Sequence, residues 1–197
     1  MKTLLTLFVL LFSSSVFGED ISDFQIEGMS IGDSLLDYFS EEEILKEIET
    51  NSEHYKYLNN TTKFGEVYIF NNDKFKKYTK VSFFVKPNDK KYKIFMIRGM
   101  LVFNENFEGC LKQQKELVSE IENLLTQFEK DEYDYLSPQD PSGKSTTHDI
   151  VFSFQTGDRI TIQCDNWEEN FRKKNNWTEG LSVAILTKEF NDWISDY

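Results

Sequence analysis

Between residues 107 and 129, apolar side chains recur at spacings of three and four: Phe107, Cys110, Leu111, Leu117, Val118, Ile121, Leu124, Leu125 and Phe128. Gln114 is the only polar member of the stripe. A stripe this wide on a long helix must be buried against a second apolar surface. The rest of the chain supplies one. Residues 65–70, 78–85 and 92–103 read as strands separated by short polar turns, and so do 149–155, 159–164 and 181–188. An earlier helix begins at Ser40, where Ser40-x-x-Glu43 is a capping box and Glu41 to Glu43 sit at the positive end of the helix dipole. Asp33 is placed to cap a short helical turn through residues 34–38.

The resulting order is α-β-β-β-α-β-β-β. It predicts one α+β domain over residues 19–197, an antiparallel sheet with its helices packed on one face. Residues 130–148 carry no periodic pattern, and 137–145 reads as a polar surface loop. Residues 165–180 form a polar excursion before the last strand.

The cysteines fit this plan. Cys110 lies on the apolar stripe of the long helix, and Cys164 shares a strand face with Ile160 and Ile162. Both side chains therefore point into one helix–sheet interface, which predicts a Cys110–Cys164 disulfide in an oxidising compartment. The competing reading makes Cys110 a thiolate nucleophile near a helix N-terminus, with His148 as its base and Asp149 beside it in sequence, although Asp149 points the opposite way if it begins a strand.

The compartment is read from the first eighteen residues. Lys2, the apolar run from Leu4 to Phe12, and Val16-Phe17-Gly18 before Glu19 make a secretory signal peptide over residues 1–18. Its apolar run is too short for a good membrane span, and no later run is as long. Richness in Lys, Asn, Ile and Phe, with only 3 Pro, suggests an AT-rich genome and places the product in a bacterial periplasm. Cleavage removes Lys2 and no acid, taking the net charge from −12 to −13. That balance disfavours nucleic acid and anionic membrane as partners. With 18 Phe, 9 Tyr and 3 Trp the chain is far too rich in apolar rings to stay disordered.

Complete catalytic constellations are missing. Gly143-Lys144-Ser145 imitates the end of a phosphate loop, but Pro138 stands where that pattern needs glycine. Asp131, Glu132 and Asp134 do not have EF-hand spacing. His54 and His148, the only histidines, have no second ligand at zinc spacing. No Gly-x-Ser-x-Gly elbow occurs, and no spacing singles out a pair of carboxylates. No catalytic residue, metal ligand or cofactor is therefore assigned. Lys74, Lys76, Lys77, Lys80, Lys86, Lys90, Lys91 and Lys93 form a basic run that either guards sheet edges or meets an anionic partner. Trp167, Phe171 and Trp177 lie in the polar excursion, where there is little core to fill. They are the candidate binding residues, with folding back over the sheet as the alternative.

Residues 24–36, Phe-Gln-Ile-Glu-Gly-Met-Ser-Ile-Gly-Asp-Ser-Leu-Leu, resemble the openings of uncharacterised small exported proteins of AT-rich marine alphaproteobacteria. The Gly-Met-Ser-x-Gly-x-Ser piece is also similar to the start of BamE/SmpA-like domains. The resemblance implies an envelope location and, from the second family, a non-catalytic scaffold. The sequence thus points to a soluble periplasmic binding or protein-interaction module for an unknown protein or small-molecule ligand. The alternatives are an extracytoplasmic enzyme, thiol-dependent or a carboxylate hydrolase, and an envelope protein that assembles through its lysine-rich hairpin.

Overall fold

The computed structural model describes residues 20–59, 63–70 and 72–197, so the signal peptide expected over 1–18 lies outside the described residues. After short 3-10 turns at Ile21–Asp23 and Leu35–Asp37 come helix α1 (Glu41–His54) and strands β1 (Gly65–Phe70), β2 (Lys80–Val85) and β3 (Ile94–Val102). Helix α2 (Phe107–Glu122) then leads to β4 (Glu129–Leu136), β5 (Thr146–Ser153) and β6 (Arg159–Asn166). Helix α3 (Glu169–Asn175), strand β7 (Gly180–Leu186) and helix α4 (Lys188–Ile194) follow. The Ser40 capping box forms as expected: Ser40 Oγ accepts from the Glu43 amide, and the Glu43 carboxylate accepts from the Ser40 amide. Asp33 has a different task. Its carboxylate accepts from the Ser30 amide and the Tyr38 hydroxyl, closing the turn before the 3-10 segment instead of capping it.

All seven strands pair antiparallel in the order β1-β2-β3-β7-β6-β5-β4. Two three-stranded meanders flank β7, the last strand in sequence. Every residue of β7, Gly-Leu-Ser-Val-Ala-Ile-Leu, is buried, as a central strand covered on both faces requires. Its first residue must be glycine, because a Cβ there would stand 1.9 Å from the Leu101 carbonyl oxygen.

One sheet face forms the main core. Val67, Val81, Phe83, Val85, Ile97, Ile185, Ile160, Ile162, Phe152 and Ile150 pack against Ile44 of α1 and against Leu117, Val118 and Ile121 of α2. The opening segment adds Phe24, Ile26, Met29, Leu35 and Phe39 to the same cluster. The Cys110–Cys164 disulfide ties α2 to β6 across this layer, with Cα atoms 6.0 Å apart.

The α+β class and the antiparallel sheet agree with the expectation, and α1 and α2 share one face. Helix α4 goes to the other. Its Phe190 and Trp193 cover Phe84, Met96 and Leu186 together with Phe64 and Leu58. The apolar pattern extends the last strand to Lys188, but Lys188 opens this helix, with the Thr187 hydroxyl accepting from the Phe190 amide.

Two further differences have physical causes. Helix α2 stops at Glu122 rather than continuing to 129. The stripe is unbroken in sequence only because Leu125 and Phe128 still reach the core from the turn, Phe128 against Phe152 at 5.3 Å. Residues 130–136, which showed no pattern, belong to β4. All eight residues of that strand are exposed, so no alternation of apolar and polar side chains marks it.

Candidate functional site

Trp167, Phe171 and Trp177 come together at one end of the sheet. Trp167 and Trp177 have ring centroids 4.7 Å apart, and Phe171 stands edge-on to Trp177 at 5.2 Å. Helix α3 sets this geometry. The Glu168 carboxylate caps it by accepting from the Phe171 amide at 2.7 Å. Asn176 then takes a left-handed conformation (φ 53°), and the chain turns back so that the Trp177 amide donates to the Arg172 carbonyl. Beneath the rings, the buried Glu179 carboxylate accepts from the amides of Trp167 (3.1 Å) and Glu105 (2.8 Å). The Arg172 guanidinium lies between Glu179 and Glu105. None of the three rings is buried, and Trp177 is 38 % exposed.

The polar loop 137–145 lies against this cluster. The Glu168 amide donates to Ser145 Oγ at 2.8 Å, and Ser145 is in turn held by Asp140. Burial alone would raise the Asp140 carboxyl, but hydrogen bonds from the hydroxyls and amides of Ser145 and Ser142 outweigh it. They hold the group far below the usual carboxylate range. Two segments that looked like unrelated polar excursions thus form one braced surface.

The sheet face that α4 leaves uncovered begins beside that surface and is polar. On β6, Asp165 Oδ1 accepts from the Thr147 hydroxyl at 2.9 Å and from the Gln163 amide at 2.8 Å. Burial nevertheless raises the Asp165 carboxyl. Asp149 of β5 shares this face, because it is two residues from Thr147. One of its carboxyl oxygens is buried without a hydrogen-bond partner. Burial first, and the charge of Asp165 second, push the Asp149 carboxyl up to about 6. Farther along the face, Arg98 Nη2 lies 3.6 Å from Glu66 Oε1, a charge pair without hydrogen-bond geometry. Burial raises the Glu66 carboxyl, and the Arg98 charge partly offsets this. The face therefore carries three carboxyls raised by burial, Asp149, Asp165 and Glu66, and a partly open guanidinium.

Sequence reasoning did not find Asp165 or Arg98 as site residues, and met Asp149 only as the neighbour of His148. The signal was a period of two, with Thr161, Gln163 and Asp165 alternating with Ile160, Ile162 and Cys164. It reads as an ordinary solvated strand face until the partner strands are known.

The cysteine and histidine candidates resolve differently. Cys110 and Cys164 are both buried in the disulfide, and neither is a free thiol. His148 stands opposite Cys164 in the ladder. Its acidic partner is Asp134 of β4, with Nδ1 and Oδ1 2.8 Å apart, and Glu132 lies 3.5 Å from Nε2. Asp149, adjacent in sequence, points to the opposite face. In the basic run, Lys74 donates to the Tyr38 carbonyl, Lys86 pairs with Glu189, and Lys80 donates to Thr178. Among the described residues, no three His, Cys, Asp or Glu side chains are grouped to hold a metal ion. Among the same residues, no helix is long and apolar enough to cross a membrane.

No family model, curated protein or solved structure matches this chain.

Proposed function

We propose that the protein is a non-catalytic binding or protein-interaction module exported to a bacterial periplasm, and that its ligand is engaged by the Trp167–Phe171–Trp177 cluster. The observation that carries this reading is the cluster itself. Three rings pack on one another at the rim of a disulfide-tied sheet, with a rigid polar base beneath them and Trp177 open to solvent. Rigid aromatic surface of this kind supplies large contact area at low entropic cost on binding. The acidic sheet face beside it favours ligands with hydroxyl groups or positive charge.

The test is a tryptophan-fluorescence screen of the mature protein against panels of oligosaccharides, polyamines and cationic peptides. At least one probe should bind saturably, and Trp177→Ala should remove the response while leaving the near-ultraviolet circular dichroism native. A screen in which no probe perturbs the emission, or in which the variant responds like the parent, would refute the assignment.

One observation favours a second reading, a carboxylate hydrolase. Asp149 and Asp165 lie on one face, both carboxyls raised by burial, and only Asp165 Oδ1 is held by hydrogen bonds while Asp149 Oδ1 has no partner. Chromogenic glycosides and esters would show a bell-shaped pH–rate profile abolished by Asp149→Asn; flat profiles across the panel would dismiss the hydrolase.

A further inference from the structure

The two edges of the sheet are treated differently. On β1, the Asn51 side chain of α1 donates to the Glu66 carbonyl at 3.1 Å, so the helix takes up part of that edge. On β4, no described helix or loop does the same: its ladder runs to β5 alone, and all eight of its residues are exposed. An open edge of this length is a template for another strand.

The orientation of its peptide groups follows from one hydrogen bond. The Ser137 amide donates to the Ser145 carbonyl at 2.9 Å, which continues the β4–β5 ladder one residue past Leu136. Inward and outward peptide groups alternate along an antiparallel strand. Tyr135, Tyr133 and Asp131 therefore also bond inward to β5. The N–H and C=O groups of Leu136, Asp134, Glu132 and Lys130 point away from the sheet.

The side chains flanking those groups select the occupant. Glu129, Asp131, Glu132 and Asp134 line the strand, and its only base, Lys130, is paired with Glu122 of α2. Tyr133 and Tyr135 add exposed ring faces, at 50 % and 41 % exposure. Lysine is the usual guard of such an edge, whereas an acidic edge repels a second copy of itself. Two β4 strands laid antiparallel would set acid against acid. In the lysine-rich run of another copy, Lys80 lies within β2, already paired on both sides, and Lys86 is tied to Glu189, so neither is offered as a free strand.

We propose that β4 is a docking edge that receives an extended, lysine- or arginine-rich segment of a partner protein as an eighth strand. Backbone hydrogen bonds to the outward groups of residues 130, 132, 134 and 136 would supply affinity. The acids and the two tyrosine faces would select cationic side chains. This proposal does not depend on the aromatic cluster, and either assignment can fail without the other.

The probe is an end-blocked octapeptide of alternating lysine and valine, compared with two analogues. One replaces lysine by glutamate; the other is N-methylated throughout, which keeps the charge but removes the backbone donors. The unmodified peptide should bind saturably and slow hydrogen exchange at the amides of residues 130, 132, 134 and 136. The N-methylated analogue should lose at least about tenfold in affinity, and the glutamate analogue should not bind. In the protein, Glu132→Pro places a proline where the amide faces outward, so the β5 ladder survives while the edge is blocked. It should abolish binding, whereas Glu132→Gln should weaken it only modestly. Equal binding of the N-methylated peptide would overturn the proposal by reducing it to charge attraction. So would binding that leaves those four amides unprotected, or no binding at all. Concentration-dependent dimerisation that protects the same amides without peptide would assign the edge to a second copy and equally overturn it. Should Glu132→Pro fail to fold, the exchange pattern and the N-methylated peptide still decide the question.

Discussion

The Thr147 hydroxyl donates to the buried Asp165 carboxylate at 2.9 Å, and Thr147 in turn receives the Ser137 hydroxyl, 2.6 Å away. This relay joins β4's far end, β5 and β6 and satisfies a buried carboxyl inside the polar sheet face. Replacing Thr147 by the isosteric valine leaves Asp165 with the Gln163 bond alone. Thr147→Val should cost about 1–3 kcal/mol at neutral pH, because it removes one of the two hydrogen bonds held by a buried acceptor. The loss should shrink in acid, once Asp165 is protonated. Urea unfolding at the two pH values measures both.

Asp149 gives the stability curve a definite slope. Its carboxyl stands at about 6 in the folded protein against an ordinary 3.8, so the native state holds a proton that the unfolded chain releases. This contribution is complete below pH 3.8 and is lost as pH rises through 6. Asp149→Asn cannot titrate there. The variant should gain on the parent by about 1–3 kcal/mol as pH rises across that window, after allowing for partial exposure. Parallel curves for the two proteins would contradict the assignment.

The disulfide closes a loop with a sequence separation of 54. Loop-closure entropy makes it worth about 4 kcal/mol. Reduction, or the double substitution Cys110→Ser with Cys164→Ser, should lower the urea midpoint by a corresponding amount. The unreduced protein should titrate no thiol, even when unfolded.

The tryptophans should separate by accessibility. Trp177 is 38 % exposed, while Trp193 is 4 % exposed among Phe64, Phe84 and Phe190. Trp177→Phe should remove the largest share of the acrylamide-quenchable emission and cost under about 1.5 kcal/mol. Trp193→Ala should remove none of it and cost about 3–5 kcal/mol.

The candidate site was legible only in part. Trp167, Phe171 and Trp177 stood out because rings in a polar segment lack a local core, and they do meet in space. Asp149 and Asp165 were hidden, since their environment depends on which strands flank them. His148 kept an acidic neighbour, but it is Asp134 from across the ladder, not Asp149 beside it.

Wherever a side chain's role is local, the order of residues was enough. The Ser40 cap, strand β1, the apolar stripe of α2 and the shared interface of Cys110 and Cys164 all follow from periodicity and short-range hydrogen bonding. Three things were decided only by tertiary contacts: β4 as a strand, β7 in the middle of the sheet, and the polar face over Asp149 and Asp165. An edge strand with no buried residue carries no hydrophobic period. The position of β7 depends on pairing with β3 and β6, distant in the chain, and no short window of residues encodes that choice.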